Sequence, residues 1–471
     1  MTPKKILYFS IGPLGGAILG IFSLPIIAWI FNQEDVGKMA LLQVVLSFGT
    51  LFFTLGLDQS YVREFHNSNN TSLLFKTAIL PGLILLIGCL AVCLIFGSFL
   101  SEMIFSSKSI FVSWLLAIVL LSNFLSRFFS LILRMTERGL AFSMSQLLPK
   151  VFILIIIFSY ILFDVNKNFE HLLLANTLAI MLACLIFTWN TRKEWKKSLN
   201  YSINIPQLLS MLRFGFPLIL GGIAFWGLTS LDRILLKLWS NYNELAVYSI
   251  SVSFAAAATI LQSVFSTVWA PTVYKWASNK EGHDKVIIVS RYVLLLVLLL
   301  FCLAGIFSWL IPFILPIAYA PTQKILVACM ASPLFYTLSE VTAVGIGVAR
   351  KSSYSMLASI LALCTNLACN YFLIPTLGAA GAAISIMISF WIFLVLRTEF
   401  SILVWKPLPR IELYFFTIIV MAGATINALL DTKFIYLYWC VLFLISCCYF
   451  RVEVKMIINK FIEIISKKKS I

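Results

Sequence analysis

Residues 213–239 read RFGFPLILGGIAFWGLTSLDRILLKLW, a run long enough to cross a bilayer as one helix, yet it carries Asp232, Arg233 and Lys237 near its far end. A membrane-crossing helix needs about 20 mostly apolar residues, and a charge within it costs roughly 2.5–3.5 kcal/mol, so such charges face protein or water rather than lipid. Spacings of four, three and four put Trp226, Ser230, Arg233 and Lys237 on one helical face, with Asp232 beside it. A cationic stripe of this kind points to a path for an anion. The competing reading is that Lys237 snorkels to the surface and Asp232 pairs with a neighbouring helix for assembly alone.

Working outward, the whole chain has the same character. Over 471 residues, 61% are hydrophobic and 11% charged, and the mean hydropathy is +0.99, which excludes a soluble globular protein. The net charge of +16 does not imply a nucleic-acid partner, because the basic residues are scattered through short gaps between apolar runs rather than gathered on one polar face. Ten cysteines include no CxxC and no cluster with His, so no disulfide framework, metal or cofactor is expected. The opening Met1–Lys5 is basic, but the apolar run behind it is too long for a signal peptide, and it reads as a retained helix.

The expected fold is an all-α polytopic membrane protein with fourteen spans: 6–30, 40–60, 75–98, 111–133, 149–164, 171–189, 213–239, 245–272, 287–309, 325–347, 353–374, 379–397, 412–430 and 433–450. Placing the N-terminus inside assigns 27 of the 35 Lys and Arg to inside segments and five to outside gaps; Arg127, Arg233 and Lys237 fall within spans. Basic residues favour the cytoplasmic side, so both termini are expected there. The stretch TRKEWKKSLNYSINIPQLLSML divides the chain. The expected organisation is a six-helix bundle over 1–189, a linker over 190–212 whose tail forms a short interfacial helix, a second bundle over 213–397, and two further helices with a basic tail over 398–471. FSIGPLGGAILGI from Phe9 and RFGFPLILGGIAF from Arg213 open their spans alike, as a parallel repeat around a central cavity would.

The chain has no GxxxxGK[ST] motif to bind a nucleotide, and no outside gap is long enough for a catalytic loop. Chemistry is therefore sought inside the spans. The fourth span repeats the pattern of the seventh, with Asn123, Arg127, Ser130 and Arg134 at spacings of four, three and four; Arg134 reads as a surface anchor. Arg offers a planar fork that grips phosphate through two bonds. Arg127, Arg233 and Lys237, with Asn123 and Ser130, are the candidate substrate-binding set. Glu340 in YTLSEVTAVGIG, Asp232 and Asp58 are candidates for ion coupling, by proton or by sodium, or for charge pairing, Arg127 being one partner considered for Glu340. Arg63 and Glu64, in LGLDQSYVREF, are candidates for a cytoplasmic gate.

LGLDQSYVREF and the stretch AVGIGVARKSSYSMLASILALCTNLACNYFLIPTLGAAGAAISIMIS, from Ala343 to Ser389, resemble the Wzx-type oligosaccharide flippase family, the polysaccharide exporter branch of a superfamily that also holds multidrug and toxin extrusion antiporters. Asn366, Asn370, Pro375, Gly378 and Gly381 carry the most specific part of the likeness, and the two spans after the twelfth depart from the commonest family pattern. The resemblance implies a flippase that moves an undecaprenyl-pyrophosphate-linked sugar repeat unit, as in O-antigen synthesis, from the cytoplasmic to the periplasmic leaflet of a bacterial inner membrane. It implies alternating access driven by an ion gradient, with membrane lipids, a polysaccharide polymerase and a chain-length regulator as partners. Helix bending at Gly12, Pro13, Gly15 and Gly16, and at Pro217, Gly221 and Gly222, would serve that cycle. Two alternatives stand beside it. A cation-coupled multidrug antiporter would need acidic rather than basic cavity residues, and a membrane polysaccharide polymerase or glycosyltransferase would need room for donor and acceptor sites.

Overall fold

Several helices begin where a short polar side chain caps the free backbone amides of the first turn. Asn70, Ser109, Asn168 and Asn204 each accept from the amide three residues on, at Leu73, Val112, His171 and Gln207. The computed structural model describes residues 3–278, 282–432, 434–457 and 459. Lys280, Lys433 and the basic tail from Lys460 onward lie outside them.

Contacts group the chain into two units, Met1–Ser249 and Ile250–Ile471. The first holds α1 (Pro3–Ile30), α2 (Gln33–Phe53), α3 (Leu57–Glu64), α4 (Thr71–Ile95), α5 (Phe99–Phe105), α6 (Ile110–Met135), α7 (Gly139–Leu162), α8 (Phe169–Asn190), α9 (Arg192–Leu199) and α10 (Ile205–Trp239). The next helix, α11 (Tyr242–Ser278), starts in the first unit and ends in the second. The second continues with α12 (Gly282–Phe307), α13 (Ile311–Ile314), α14 (Thr322–Cys329), α15 (Ala331–Thr342), α16 (Val344–Val348), α17 (Ser353–Leu377), α18 (Ala379–Val404), α19 (Ile411–Leu429) and α20 (Phe434–Tyr449). In the first unit α1 packs on α7, α8 lies against α6 and α7, and α10 runs along α2 and α3. In the second, α18 packs against α17, α15 and α14, and α12 against α20 and α15.

By length and composition, twelve helical segments among the described residues can cross a membrane, or thirteen if Phe434–Tyr449 and Arg451–Ile457, bent by 82°, make one span. The all-helical membrane fold is therefore as expected, while the count of fourteen is not reached among the described residues. The first helix runs from Pro3 to Ile30, but its described apolar stretch, Leu14–Ile30, is shorter. Large apolar side chains such as Ile84, Phe158, Leu185 and Phe415 stand more than half exposed, which suits a lipid surround and not water.

Four local boundaries differ from expectation. The tail before Arg213 is not a separate interfacial helix: α10 is continuous from the Asn204 cap to Trp239, and a distinct short basic helix, α9, precedes it. The fifth span begins at Gly139, ahead of Pro149, because a membrane helix tolerates an internal proline. Lys150 thus stands at the midpoint of α7 rather than in an inside gap, and because the twelfth span runs on to Val404, Arg397 lies within α18. The second span stops at Phe53; Leu55 and Gly56 take positive φ, 51° and 66°, and α3 sets off anew.

Candidate functional site

The break between α2 and α3 is pinned from the side by α10. A methyl on Gly215 would lie 2.7 Å from the Gly56 carbonyl oxygen, and Ser60 Oγ donates to the Met211 carbonyl at 2.7 Å. Backbone approach this close requires glycine at both positions, and Gly56 also adopts a left-handed conformation that side chains resist. Turning the chain here presents Asp58, in the first turn of α3, toward α6. Arg127 of α6 meets it: Nη2 is 2.6 Å and Nε 3.3 Å from the same oxygen, Oδ2, which also accepts from Gln59 Nε2 at 3.1 Å.

This pair lines a hollow of about 570 Å³ within the first unit, walled also by Thr50, Thr54 and Gln59 and by Leu218, Ile219 and Gly222 of α10. The Asp58 side chain is 9% exposed and that of Arg127 is 38% exposed. The carboxylate holds the guanidinium by two of its nitrogens, and Nη1 has no hydrogen-bond partner among the described residues. An arginine held along one edge by a carboxylate can bind an oxyanion with less loss of side-chain freedom than a free one.

The other residues singled out by sequence fall in different places. Asn123 donates to Thr50 Oγ1 at 2.8 Å and to the Leu46 carbonyl at 3.2 Å, tying α6 to α2. Ser130 bonds the carbonyl of Arg127 in its own helix. Lys237 does not share the hollow; its ammonium caps α5, 2.7 Å from the Ile104 carbonyl and 3.2 Å from that of Met103. Arg233 lies over the Tyr248 ring at 5.9 Å, and the Tyr248 hydroxyl donates to the fully buried Asp232 at 2.8 Å. Trp226 donates to Ser47 Oγ at 3.0 Å, joining α10 to α2. Arg63 stacks over Phe214 at 4.1 Å, and Glu64 follows it at the end of α3. The four-residue stripe read from 213–239 is thus divided among separate contacts.

In the second unit, Glu340 takes Arg397 as its cation, at 3.3 Å from both terminal nitrogens, while Arg397 Nη1 also donates to Ser339 Oγ at 2.7 Å. Both side chains are largely enclosed, at 17% and 13% exposure. Together with Trp269, Arg350 and Ser355 they line a second hollow of about 430 Å³. Sequence reading missed Arg397 because it was counted as a gap residue; Phe400, Ile402, Leu403 and Val404 are the apolar signal that the helix goes on past it. Asn366, Asn370, Gly378 and Gly381 belong to the α17–α18 hairpin, where Asn370 Nδ2 donates to Asn366 Oδ1 at 3.0 Å and both are fully buried. That motif builds a hairpin of closely packed helices.

A family model described as "Polysaccharide biosynthesis protein" matches residues 3–277, more than half of the chain. No match emerged among the curated proteins. Among solved structures, the chain is similar to a lipid II flippase, MurJ, in an inward closed conformation, with a TM-score of 0.69 at 14% identity, covering 95% of this chain and all of that one. It is also similar to a multidrug resistance MATE family transporter in its inward-facing conformation, with a TM-score of 0.58 at 14% identity over 84% of this chain and 97% of the other. The same family's outward-facing structure aligns with a TM-score of 0.53, again at 14% identity, over 85% of this chain and 95% of the other. Likeness at such identities concerns the fold alone.

Proposed function

Because this chain belongs to the polysaccharide biosynthesis protein family, we propose that it is a flippase which carries a lipid-linked oligosaccharide across a bacterial inner membrane by alternating access. The family and fold are those of lipid-linked substrate transporters and not of enzymes, which sets the polymerase and glycosyltransferase reading aside. The passenger in this reading is an undecaprenyl-pyrophosphate-linked repeat unit of O-antigen or a similar polysaccharide, moved from the cytoplasmic to the periplasmic leaflet. Polymerase and chain-length regulator are its downstream partners, and an ion gradient drives the cycle.

The observation that carries the proposal is the Asp58–Arg127 pair, set in a largely apolar hollow built from membrane helices. Asp58 holds the guanidinium through Nε and Nη2 and leaves Nη1 without a hydrogen-bond partner among the described residues. A phosphate oxygen arriving there gains a charge-assisted bond, and Gln59 and Thr54 offer donors and acceptors to neighbouring hydroxyls. A cationic drug would gain nothing from Nη1, which favours the flippase over the multidrug antiporter.

The test is flipping of a labelled undecaprenyl-pyrophosphate oligosaccharide by purified protein in liposomes. Loss of one bond to a charged group is worth about 1.5–3 kcal/mol, so Arg127→Ala is expected to lower the flipping rate roughly ten- to a hundredfold, and Arg127→Lys to restore it only in part. Equal rates for wild type and Arg127→Ala, with equal amounts of folded protein, would remove Arg127 from the substrate path.

A further inference from the structure

The first unit holds a further embedded cation that, like Lys237, has no acid to answer it. Lys150 stands at the midpoint of the 24-residue α7 and is half-buried, and among the described residues its ammonium has one partner, the Gly16 carbonyl of α1. The glycine face of α1 makes the room: a methyl at Gly20 would lie 3.1 Å from the ammonium, and one at Gly12 would lie 2.8 Å from the Ser143 backbone, so α1 sits close on α7. Arg127 has Asp58 and Arg397 has Glu340, whereas Lys150 faces no carboxylate within ion-pair distance among the described residues. A full positive charge at mid-span costs roughly 2.5–3.5 kcal/mol, and a neutral carbonyl offsets only part of that. An apolar residue would serve a purely structural contact between these helices better.

We infer that Lys150 is a further substrate-binding residue of this protein, parked on the Gly16 carbonyl in the present conformation and transferring its ammonium to an oxyanion of the passenger. This rests on the flippase reading, under which every passenger carries a pyrophosphate whatever its sugars, so pyrophosphate is the class of group committed to. The exchange is isoelectric for the protein: one N–H bond to a carbonyl is given up and one to a charged oxygen is gained, with no proton moved. One tie between α1 and α7 is given up in the same step, while the Ser143 hydroxyl still donates to the Tyr8 carbonyl.

The experiment measures binding of geranylgeranyl pyrophosphate and of geranylgeraniol to the full chain in detergent, by ligand-induced shift of its thermal unfolding. Lys150→Gln keeps a donor for the Gly16 carbonyl but removes the charge; Lys150→Met removes both; Lys150→Arg keeps the charge. The expected result is a preference of the wild type for the pyrophosphate, at least about a tenfold loss of that affinity in the Gln and Met variants, and an affinity within about threefold of wild type in the Arg variant. Affinity for geranylgeraniol is expected to stay unchanged, and unfolding of the unliganded Met variant to come no earlier than in the wild type. Wild-type affinity in Lys150→Gln overturns the inference and leaves the flippase reading standing, as does failure of both neutral variants to fold, which would make the lysine a structural tie. A wild type that does not distinguish pyrophosphate from alcohol overturns both.

Discussion

At the scale of single residues, the embedded charges divide by what they touch. Lys237 spends its ammonium on the Ile104 and Met103 carbonyls at the end of α5, where a cation near a helix C-terminus contributes about 0.3–1 kcal/mol. Lys237→Ala is therefore expected to lower resistance to unfolding by an amount of that order and to leave flipping within about twofold of wild type, measured by denaturation and by the liposome assay on one preparation. Glu340 and Arg397 are a different case, because both are enclosed. Removing one member of such a pair strands the other and costs roughly 3–5 kcal/mol, whereas removing both is far less costly. Arg397→Ala should thus fail to accumulate in folded form, and the double variant Glu340→Gln, Arg397→Gln should recover much of the yield; equal yields from the two would show that the pair is not coupled.

At the scale of elements, the device that matters is the interruption between α2 and α3. A straight helix through Leu55 and Gly56 would turn Asp58 to another azimuth, away from Arg127. Gly56→Ala meets two obstacles, the positive φ and the Gly215 backbone, and neither can yield by a side-chain rotation. Gly56→Asn relieves the first obstacle only. Both variants are expected to give little monodisperse protein on size exclusion, with Asn no better than Ala; rescue by Asn would mean that φ alone, and not the close approach of α10, demands glycine. The apolar pattern of 40–60 concealed this interruption, since hydropathy averages over a window and does not register two residues in an unusual backbone conformation. Lys150 was concealed by a related effect: Pro149 reads as a helix start, yet the helix begins ten residues earlier and passes through it.

At the scale of the whole molecule, the 27-to-5 division of Lys and Arg supports an orientation with both termini in the cytoplasm, although Lys150 and Arg397 must be moved from that tally into spans. The expected outcome is that green fluorescent protein fused after Lys197 fluoresces and alkaline phosphatase fused there is inactive, with the reverse after Lys167. Matching signals at the two sites would mean that an odd number of crossings does not separate them. The helical membrane architecture was plain in the sequence because long apolar runs are a local and cumulative property: each residue adds its own transfer free energy whatever its neighbours in space. Which acid answers which cation was not. Asp58 and Arg127 are 69 residues apart, and their meeting depends on the rotation of α6 about its axis and on the turn at Gly56, which α10 holds in place. The sequence by itself therefore determined that charges are carried into the membrane and on which helices. Only the tertiary structure decided that Arg127 lines a hollow while Lys237 caps a helix, because a side chain's task there is set by packing across helices, and hydropathy along one chain carries no record of that packing.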